Sequence, residues 1–212
     1  MERMTKRQKE ALETRAKLLD AARKIVCERG LAGTNVEEIT ASCGVAKGTF
    51  YTYFKRKEDI IYALCRESFA AIRDETLSSQ SPFPERLTDY MVKFAAYIEQ
   101  TSLKLCQEWI RNTAEPDFSG NKAGMEKLVF DIESMENVIK DGQARGEVKR
   151  NTPVKQMSTM LIHVLYGAML CWATSNGKYD FTEQTRIFCR KYLGSTLKPY
   201  LVSQRKKMMT QN

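Results

Sequence analysis

The hydrophobic positions of this chain repeat with the period of an α-helix over almost its whole length. Near the start, apolar residues recur at spacings of three and four, which predicts one amphipathic helix with the stripe Leu12, Ala16, Leu19, Ala22 and Val26. We expect Gly30 to end this helix, because glycine readily takes the left-handed conformation that closes a helix. The chain therefore begins with one long helix that has a single apolar face.

Two short helical segments follow, separated by a turn that contains a glycine. The first, VEEITASC, is predicted to begin behind Thr34 or Asn35 as its N-cap, and Gly44 ends it. The chain restarts almost at once as VAKGTFYTYF. Two short helices joined by a tight glycine-containing turn are typical of a helix-turn-helix.

The second short helix has the composition of a DNA-contacting surface. From Val45 to Lys57 the chain has four basic residues and no acidic residue, and hydroxyl side chains are interspersed among the basic ones. Lysine and hydroxyl groups donate hydrogen bonds to the phosphates and base edges of DNA. Gly48 leaves room for close approach of DNA, since it has no Cβ. The apolar anchors of this segment are Val45, Phe50 and Phe54.

The rest of the chain is also predicted to be helical, which gives an all-α fold of about nine helices. The segment SSQSPFPE breaks the pattern with two prolines, and the segment 154–173 is apolar on nearly every side, as a buried helix is. We assign residues 1–56 to a helix-turn-helix DNA-binding domain, with a basic arm at 1–9. Residues 57–212 are assigned to a helical effector-binding and dimerisation domain.

The net charge of +8 is concentrated at the two ends of the chain. Residues 1–60 contain 13 Lys or Arg against 9 Asp or Glu, and residues 198–212 contain 4 against none, whereas the middle is balanced. This distribution is typical of a nucleic-acid-binding head joined to a neutral body, although the C-terminal basic residues are equally consistent with a solvated tail. The charged first ten residues do not resemble a secretory signal, so we expect a cytoplasmic protein.

The segment from Leu18 to Ile61 resembles the DNA-binding domain of TetR/AcrR-type bacterial regulators. The resemblance rests on the AA pair in the first helix, the glycine after it, the threonine before the second helix, and the run GVAKGTFYTYFKRKEDI. Thr40 and Cys43 depart from the family pattern, where alanine is common. The resemblance implies an all-α homodimer that binds a palindromic operator in double-stranded DNA and that a small molecule releases.

The resemblance also implies roles for individual residues of the head. Thr34 and Tyr51 are expected to contact phosphates, Tyr53 the DNA backbone, and Lys57 a phosphate from the start of a helix. The floor of the groove is expected to meet Lys47, Gly48 and Thr49. A core aromatic remains the alternative for Tyr51 and Tyr53, and Lys55 and Arg56 are equally well explained as solvated.

The body is predicted to contain an apolar effector pocket within each subunit. Methionine and aromatic side chains with polar tips suit an adaptable cavity, although ordinary core packing explains most of them. The predicted lining is Phe69, Met91, Phe94, Tyr97, Cys106, Trp109, Met125, Met135, His163, Tyr166 and Met169. Trp109, His163 and Tyr166 are the expected polar groups, and for His163 a hydrogen-bonded core residue is the alternative. The ligand should be small and largely hydrophobic.

Two helices of each subunit are expected to form the dimer interface as a four-helix bundle. The apolar helix 154–173 and the leucine stripe of the last helix suggest a symmetric contact. The predicted interface residues are Gly167, Ala168, Leu193, Leu197 and Leu201. The alternative is that both helices pack inside one subunit.

Other classes of function lack the residues that they require. The chain has one histidine and contains no HExxH, GxSxG, P-loop or GxGxxG motif, so we predict no enzyme, no cofactor and no metal site. The six cysteines form no CxxC pair and are expected to be small buried hydrophobes, with a redox-sensing thiol as the alternative. The remaining alternative is a DNA-binding regulator that responds to a protein partner or to thiol oxidation instead of a ligand.

Overall fold

A computed structural model of the protein describes residues 4–31, 33–114 and 123–203, and these segments are built from helices. The nine main helices are α1 (Lys6–Arg29), α2 (Val36–Ser42), α3 (Lys47–Tyr53), α4 (Asp59–Ser78), α5 (Phe83–Thr101), α6 (Leu103–Ala114), α7 (Ala123–Ala144), α8 (Val154–Thr174) and α9 (Phe181–Phe188). A π-helical turn (Cys189–Leu193), the short helix α10 (Gly194–Leu197) and a 3-10 turn (Lys198–Tyr200) continue directly from α9. Among the described residues one isolated antiparallel bridge joins Val148 and Leu201. The predicted all-α class is confirmed.

Local capping signals explain where the helices of the head begin and end. The Thr5 side chain accepts a hydrogen bond from the backbone N–H of Gln8, and Gln8 reciprocates as a capping box that starts α1. Gly30 ends α1 with a φ of 75°, and Gly44 follows α2 with a φ of 67°, both in the region that favours glycine. Asn35 caps α2 by accepting from the N–H of Glu37, so of the two predicted caps Asn35 is the one observed.

The basic arm predicted at residues 1–9 is largely part of α1. This helix already begins at Lys6 because of its capping box, whereas residues 1–3 lie outside the described residues. The C-terminal basic residues Arg205, Lys206 and Lys207 also lie outside them. The predicted roles of the two ends of the chain therefore stay predictions.

The chain divides into two compact units, and the first contains more than the predicted head. It comprises α1 to α3, α4 as far as Glu67, and α6 from Lys104. Its core consists of buried aliphatic and aromatic side chains from all of these helices, including Leu19, Ile39, Phe50 and Leu105. Burial of each such side chain contributes about 1.5–3 kcal/mol to stability. The division falls eleven residues later than the predicted boundary after residue 56, and α6 returns to this unit.

A buried carboxylate explains how α6 is held in the first unit. Glu108 is 6% exposed, and its Oε2 accepts a hydrogen bond of 2.8 Å from the backbone N–H of Leu31, in the turn that follows α1. A Cβ on Gly30 would lie 3.1 Å from the Lys104 side chain and 3.2 Å from the Glu108 carboxylate. Glycine therefore allows both the turn and the close approach of α6.

The second unit contains α4 from Ser68, α5, and α7 to the C-terminal segment. The α9 helix packs against α5, and the Glu99 carboxylate accepts hydrogen bonds of 3.0 Å from the backbone N–H groups of both Phe181 and Thr182 at the start of α9. An acidic group at this end of a helix satisfies N–H groups that have no partner within the helix. Glu99 therefore fixes the position of α9 on α5.

The helix α8 is long and apolar enough to cross a membrane by length and composition alone. In the second unit, however, Leu161, Ile162 and Leu165 are buried, which is the environment of a core helix in a globular protein. The opposite face of α8 exposes Met160, His163, Gly167 and Leu170, at spacings of three and four. The helix is therefore buried on one side and open on the other.

Candidate nucleic-acid interface and effector site

The short helix α3 presents one polar face to solvent and one aromatic face to the core. Lys47, Gly48, Tyr51 and Thr52 are exposed, and their i, i+3 and i+4 spacings place them on the same face. Phe50, on the other side, is fully buried and lies 5.4 Å from the Tyr51 ring in an edge-on contact. A recognition helix presents polar side chains of this kind to the major groove.

The Lys47 ammonium is not free on this face, because it forms an ion pair with the Glu37 carboxylate of α2. Both side chains are about half exposed. The hydrogen bond from Lys47 lowers the pKa of the Glu37 carboxyl, and the same bond raises the pKa of Lys47. Both groups are therefore charged near neutral pH, and a DNA phosphate must compete with Glu37 for the ammonium.

The other predicted DNA contacts occupy more varied positions. Thr34 is 4% exposed, its hydroxyl donates to the Gly30 carbonyl at 2.7 Å, and its own carbonyl accepts from Lys57 Nζ at 3.1 Å. Thr49 is half-buried, and Tyr53 is half-buried against the core of the first unit. A Cβ at Gly48 would meet no atom within 4 Å, so the packing of the chain itself does not require glycine there. Contact of these residues with DNA stays a prediction.

We expect removal of the Glu37 charge to strengthen DNA binding by the whole protein. Glu37→Gln frees the Lys47 ammonium and should raise the affinity for non-specific duplex DNA about threefold to tenfold at low salt, with a steeper salt dependence. Gel-shift titrations at several salt concentrations measure this effect.

Glu38→Gln is the matched control, because it makes the same change in net charge on the same helix. Glu38 is paired with Arg29 of α1 at 2.9 Å and not with Lys47. If both variants strengthen binding equally, the effect comes from net charge alone and the Glu37–Lys47 pair has no separate influence.

Four of the predicted effector residues form one aromatic cluster in the second unit. The Phe69 ring of α4 stacks on the Phe94 ring of α5 with centroids 4.3 Å apart, and Tyr97 meets Phe69 edge-on at 5.2 Å. The Tyr166 ring of α8 lies 6.4 Å from Phe94. Phe69 and Phe94 are buried, whereas Tyr97 and Tyr166 are half-buried. The cluster therefore lies close beneath the surface of the unit.

A buried ion pair of α7 lies against these rings, and the sequence analysis missed it. Lys127 pairs with Asp131, four residues further along the helix, and the side chains are 4% and 0% exposed. The Lys127 ammonium lies 4.0 Å from the centroid of the Phe69 ring, a cation–π contact. The Tyr166 hydroxyl donates to Asp131 Oδ2 at 2.7 Å. Burial raises the pKa of the Asp131 carboxyl, and Lys127 and this hydrogen bond oppose the change.

Other predicted lining residues lie elsewhere. Cys106 and Trp109 belong to the part of α6 that lies in the first unit, and Trp109 packs against the core of that unit. His163 and Met125 are exposed, since they lie on the outer faces of α8 and α7. A role for these four residues in an effector pocket stays a prediction.

The three remaining methionines of the predicted lining are buried in the second unit. Met135 is fully buried and Met169 is 4% exposed. Met91 is also fully buried, and its sulfur lies 3.9 Å from the Cys189 sulfur. The sequence prediction for this set remains untested.

A separate polar cleft of about 230 Å³ lies in the second unit. Its lining is Glu75, Thr76, Ser78, Ser79, Arg86, Asp89 and Lys93, which includes none of the predicted effector residues. Charged groups of both signs dominate this lining, whereas a hydrophobic ligand needs apolar walls. The aromatic cluster is therefore the better effector candidate.

The leucine stripe predicted for the dimer interface faces the interior of its own unit. Leu193 and Leu197 are each 1% exposed, and Leu201 is half-buried beside Val148, to which it is bridged. Gly167 is exposed, as an interface residue must be, and Ala168 is half-buried. The burial of Leu193 and Leu197 within one chain removes them from a surface that a partner could contact.

The exposed apolar side chains of the same helices provide a different surface. Met160 and Leu170 of α8 are 61% and 49% exposed, and Tyr192 in the π-helical turn is 59% exposed. The sequence alone could have indicated this surface, because the spacing of Met160, His163, Gly167 and Leu170 places them on one face of α8. Apolar residues gathered on an exposed face mark an interaction surface.

The described cysteines differ in their surroundings. Burial raises the pKa of the Cys106 thiol to about 12 and that of Cys189 to about 11, so both remain protonated and unreactive near neutral pH. Cys43 and Cys65 are half-buried, and Cys171 is exposed on α8. The expectation of small buried hydrophobes therefore holds for Cys106 and Cys189 and is wrong for Cys171, because that position lies on the open face of its helix.

Comparison with known proteins connects this fold to transcription regulators. Residues 18–64 match the family of bacterial regulatory proteins described as the tetR family. The HTH-type transcriptional repressor DhaR of Mycobacterium sp. (strain GP1) is 30% identical over 190 residues, which cover 86% of this chain and 93% of that protein. The fatty acid metabolism regulator protein of Bacillus subtilis (strain 168) is 24% identical over 175 residues, covering 77% of this chain and 85% of that protein.

Solved structures share the fold at lower identity. The repressor FadR of Thermus thermophilus, solved in complex with lauroyl-CoA, has a TM-score of 0.68 and 21% sequence identity, over 83% of this chain and 91% of that one. The family match covers the helix-turn-helix that α2 and α3 form, and the relationship to DhaR extends over most of the chain. The chain therefore belongs to the TetR family of bacterial regulatory proteins and is a DNA-binding transcriptional regulator.

Proposed function

We propose that the protein is a homodimeric repressor that binds a palindromic operator and leaves it when a small hydrophobic effector binds. The observation that carries the proposal is the exposed face of α3, where Lys47, Gly48 and Tyr51 stand opposite the buried Phe50. A helix of this kind fits the major groove, with its lysine and hydroxyl groups directed at phosphates and base edges. Such a regulator acts in the bacterial cytoplasm, where its DNA is.

The exposed face of α8 supports dimerisation. A two-fold interface uses the same patch on both subunits, and the face bearing Met160, Gly167 and Leu170 combines large apolar side chains with a glycine that permits close approach. Tyr192 adds an apolar ring from the segment that follows α9. Two recognition helices related by a two-fold axis read a palindrome, with half-sites about one helical turn of DNA apart.

The aromatic cluster of the second unit supports a hydrophobic effector. Phe69, Phe94, Tyr97 and Tyr166 come from three helices and surround the buried Lys127–Asp131 pair. Ligand sites are mostly apolar and contain a few convergent polar groups, as this cluster does. One structure with this fold was solved in complex with lauroyl-CoA. A ligand with a long acyl chain is therefore the first one to test on this protein.

The helix α4 gives the effector a path to the DNA-binding head. Ile60, Ile61 and Leu64, in its first half, are buried in the core of the first unit, and Phe69 lies in the aromatic cluster five residues later. In this proposal, a ligand that displaces the Phe69 ring also shifts α4, and the shift passes along α4 to its first half. The ligand then favours a conformation of the dimer in which the two recognition helices no longer match the operator.

Release of DNA by a ligand tests this proposal. We expect lauroyl-CoA or another long-chain amphiphile to raise the melting temperature of the full-length protein and to dissociate its complex with operator DNA in the same concentration range. Phe94→Ala should weaken both effects. Phe188→Ala is the control, because Phe188 is a half-buried aromatic residue outside the cluster, and it should weaken neither effect. A protein that binds operator tightly but gains no stability from any of these ligands and keeps its DNA would be an effector-independent regulator.

A further inference from the structure

The buried polar groups around the aromatic cluster are more numerous than the Lys127–Asp131 pair alone requires. Four helices meet there: α4 with Phe69, α5 with Tyr90 and Phe94, α7 with Lys127, Asp131 and Ser134, and α8 with Tyr166. Tyr90 and Asp131 are fully buried and Ser134 is 1% exposed. Burial of a polar group costs free energy unless the group forms hydrogen bonds, so buried polar groups nearly always have a partner.

Three of these groups have a buried polar atom without a hydrogen-bond partner in the described part of the chain. They are Asp131 Oδ1, the Tyr90 hydroxyl and Ser134 Oγ. Asp131 and Ser134 are three residues apart on α7 and so share one face of that helix. Burial and the nearby Asp131 carboxylate raise the pKa of Tyr90, whose hydroxyl also lies beside Ser134 without good hydrogen-bond geometry. The three residues are therefore neighbours, and none of the three atoms has a partner in full hydrogen-bond geometry among the described residues.

The charges of the site indicate the charge of its ligand. Lys127 and Asp131 neutralise each other, and both are nearly inaccessible to solvent. An anionic or cationic ligand group would leave one uncompensated charge in a region shielded from water, which is strongly unfavourable. A neutral polar group avoids this cost.

The hydrogen-bonding capacity of the three atoms narrows the choice further. Asp131 Oδ1 can only accept a hydrogen bond, whereas the hydroxyls of Tyr90 and Ser134 can donate one. The matching ligand group has one donor next to one acceptor. A secondary amide has this pair as its N–H and C=O groups, whereas an ester lacks the donor and a carboxylate lacks the donor and carries a charge.

We propose that this site binds neutral amphiphiles that contain a secondary amide attached to a hydrocarbon chain. The amide N–H donates to Asp131 Oδ1, the amide carbonyl accepts from the hydroxyl of Tyr90 or Ser134, and the hydrocarbon packs against the stacked rings of Phe69 and Phe94. This inference rests on the proposed function, because it names the chemistry of the effector that the repressor recognises. Half-buried Tyr97 and Tyr166 mark the side from which the ligand enters.

Three ligands of equal chain length test the inference in the full-length protein. N-methyldodecanamide has the donor and the acceptor, methyl dodecanoate has only the acceptor, and dodecanoate is an anion. Calorimetric titration should show that the amide binds about tenfold or more tightly than the ester and the anion, because only the amide donates to the buried carboxylate.

Removal of the two hydroxyls distinguishes a ligand-binding role from a purely structural one, because the two roles predict different changes in melting temperature and ligand affinity. Tyr90→Phe and Ser134→Ala remove buried groups without partners, so each should leave the melting temperature of the ligand-free protein unchanged or higher. In the double variant, affinity for the amide and for the ester should each fall about tenfold, because both carbonyls lose their donors, and the preference for the amide should remain. Tyr179→Phe is the matched control, since the Tyr179 hydroxyl is bonded to the Ala168 carbonyl at 3.1 Å. That control should lower stability and leave ligand affinity unchanged.

The outcomes separate this inference from the proposed function. Equal affinity for amide and ester, or affinities that Tyr90→Phe and Ser134→Ala do not change even together, would overturn the inference. If the ester or the anion nevertheless releases operator DNA, the proposed function stands without it. If no ligand binds and none releases DNA, both the inference and the effector part of the proposed function fail.

Discussion

Leu170→Asp should convert the dimer into a monomer and weaken operator binding at least 100-fold. At a two-fold interface the substitution places two carboxylates together in an apolar contact, and each lacks a partner. A monomer binds one half-site only. It therefore loses the increase in operator affinity that two linked binding units provide, which is about 100-fold or more. Sedimentation measures the mass, and gel-shift titration of the same sample measures the affinity.

Val129→Asp controls for the addition of an acid at an exposed apolar position of the same unit. Val129 is 44% exposed and belongs to α7, not to α8. This variant should sediment as a dimer and bind operator as the wild type does. A stable dimer of the Leu170→Asp protein would show that the subunits meet through another surface.

Lys47→Ala should lower the affinity of the dimer for its operator about 30- to 100-fold. The substitution removes one cationic contact from each recognition helix, hence two from the complex, and leaves Glu37 unpaired and facing the DNA. The slope of log affinity against log salt should also fall by about two, one for each lysine lost. The protein should stay folded and dimeric, because the Lys47 side chain is half exposed.

Lys155→Ala is the control for the loss of a lysine outside the DNA-binding head. Lys155 is exposed near the start of α8 in the second unit. Its removal should leave both the affinity and the salt slope close to those of the wild type. Identical salt slopes for the Lys47→Ala protein and the wild type would contradict the assignment of α3 as the recognition helix.

The head of this protein could be predicted closely from its sequence because the signals there are local. Asn35 as the cap of α2 and the glycines Gly30 and Gly44 with positive φ each act within a few residues. The buried Phe50 and Phe54 and the exposed Lys47 and Tyr51 likewise indicate which side of α3 and its C-cap faces the core. Each of these signals lies within a few residues of the position that it predicts.

The membership of α6 could not be predicted, because a hydrophobic stripe shows that a helix is buried but not against which partner. Trp109 was predicted to line a pocket of the body, yet it packs with Leu105 against the core of the first unit. The Glu108 carboxylate, which would ordinarily be assigned to solvent, holds the backbone of Leu31 seventy-seven residues away. Only the folded chain reveals such a contact.

Two further differences have related causes. The last helical segment has apolar residues on two sides, and the leucine side, Leu193 and Leu197, packs inward while Tyr192 remains outside. Lys127 and Asp131 form an i, i+4 pair of opposite charges, which on sequence alone is typical of a solvated helix face. Their burial beneath Phe69 makes them the polar centre of the candidate site instead.

Selection of operator sequences from a random double-stranded DNA library tests the central claim most directly. The full-length wild-type protein and the Lys47→Ala protein would be carried through the same rounds of binding, recovery and sequencing. Wild-type protein should enrich one motif made of two inverted half-sites about one turn of DNA apart, and Lys47→Ala should enrich it weakly or not at all. Failure of the wild-type protein to enrich any motif, or equal enrichment by both proteins, would contradict sequence-specific repression through α3.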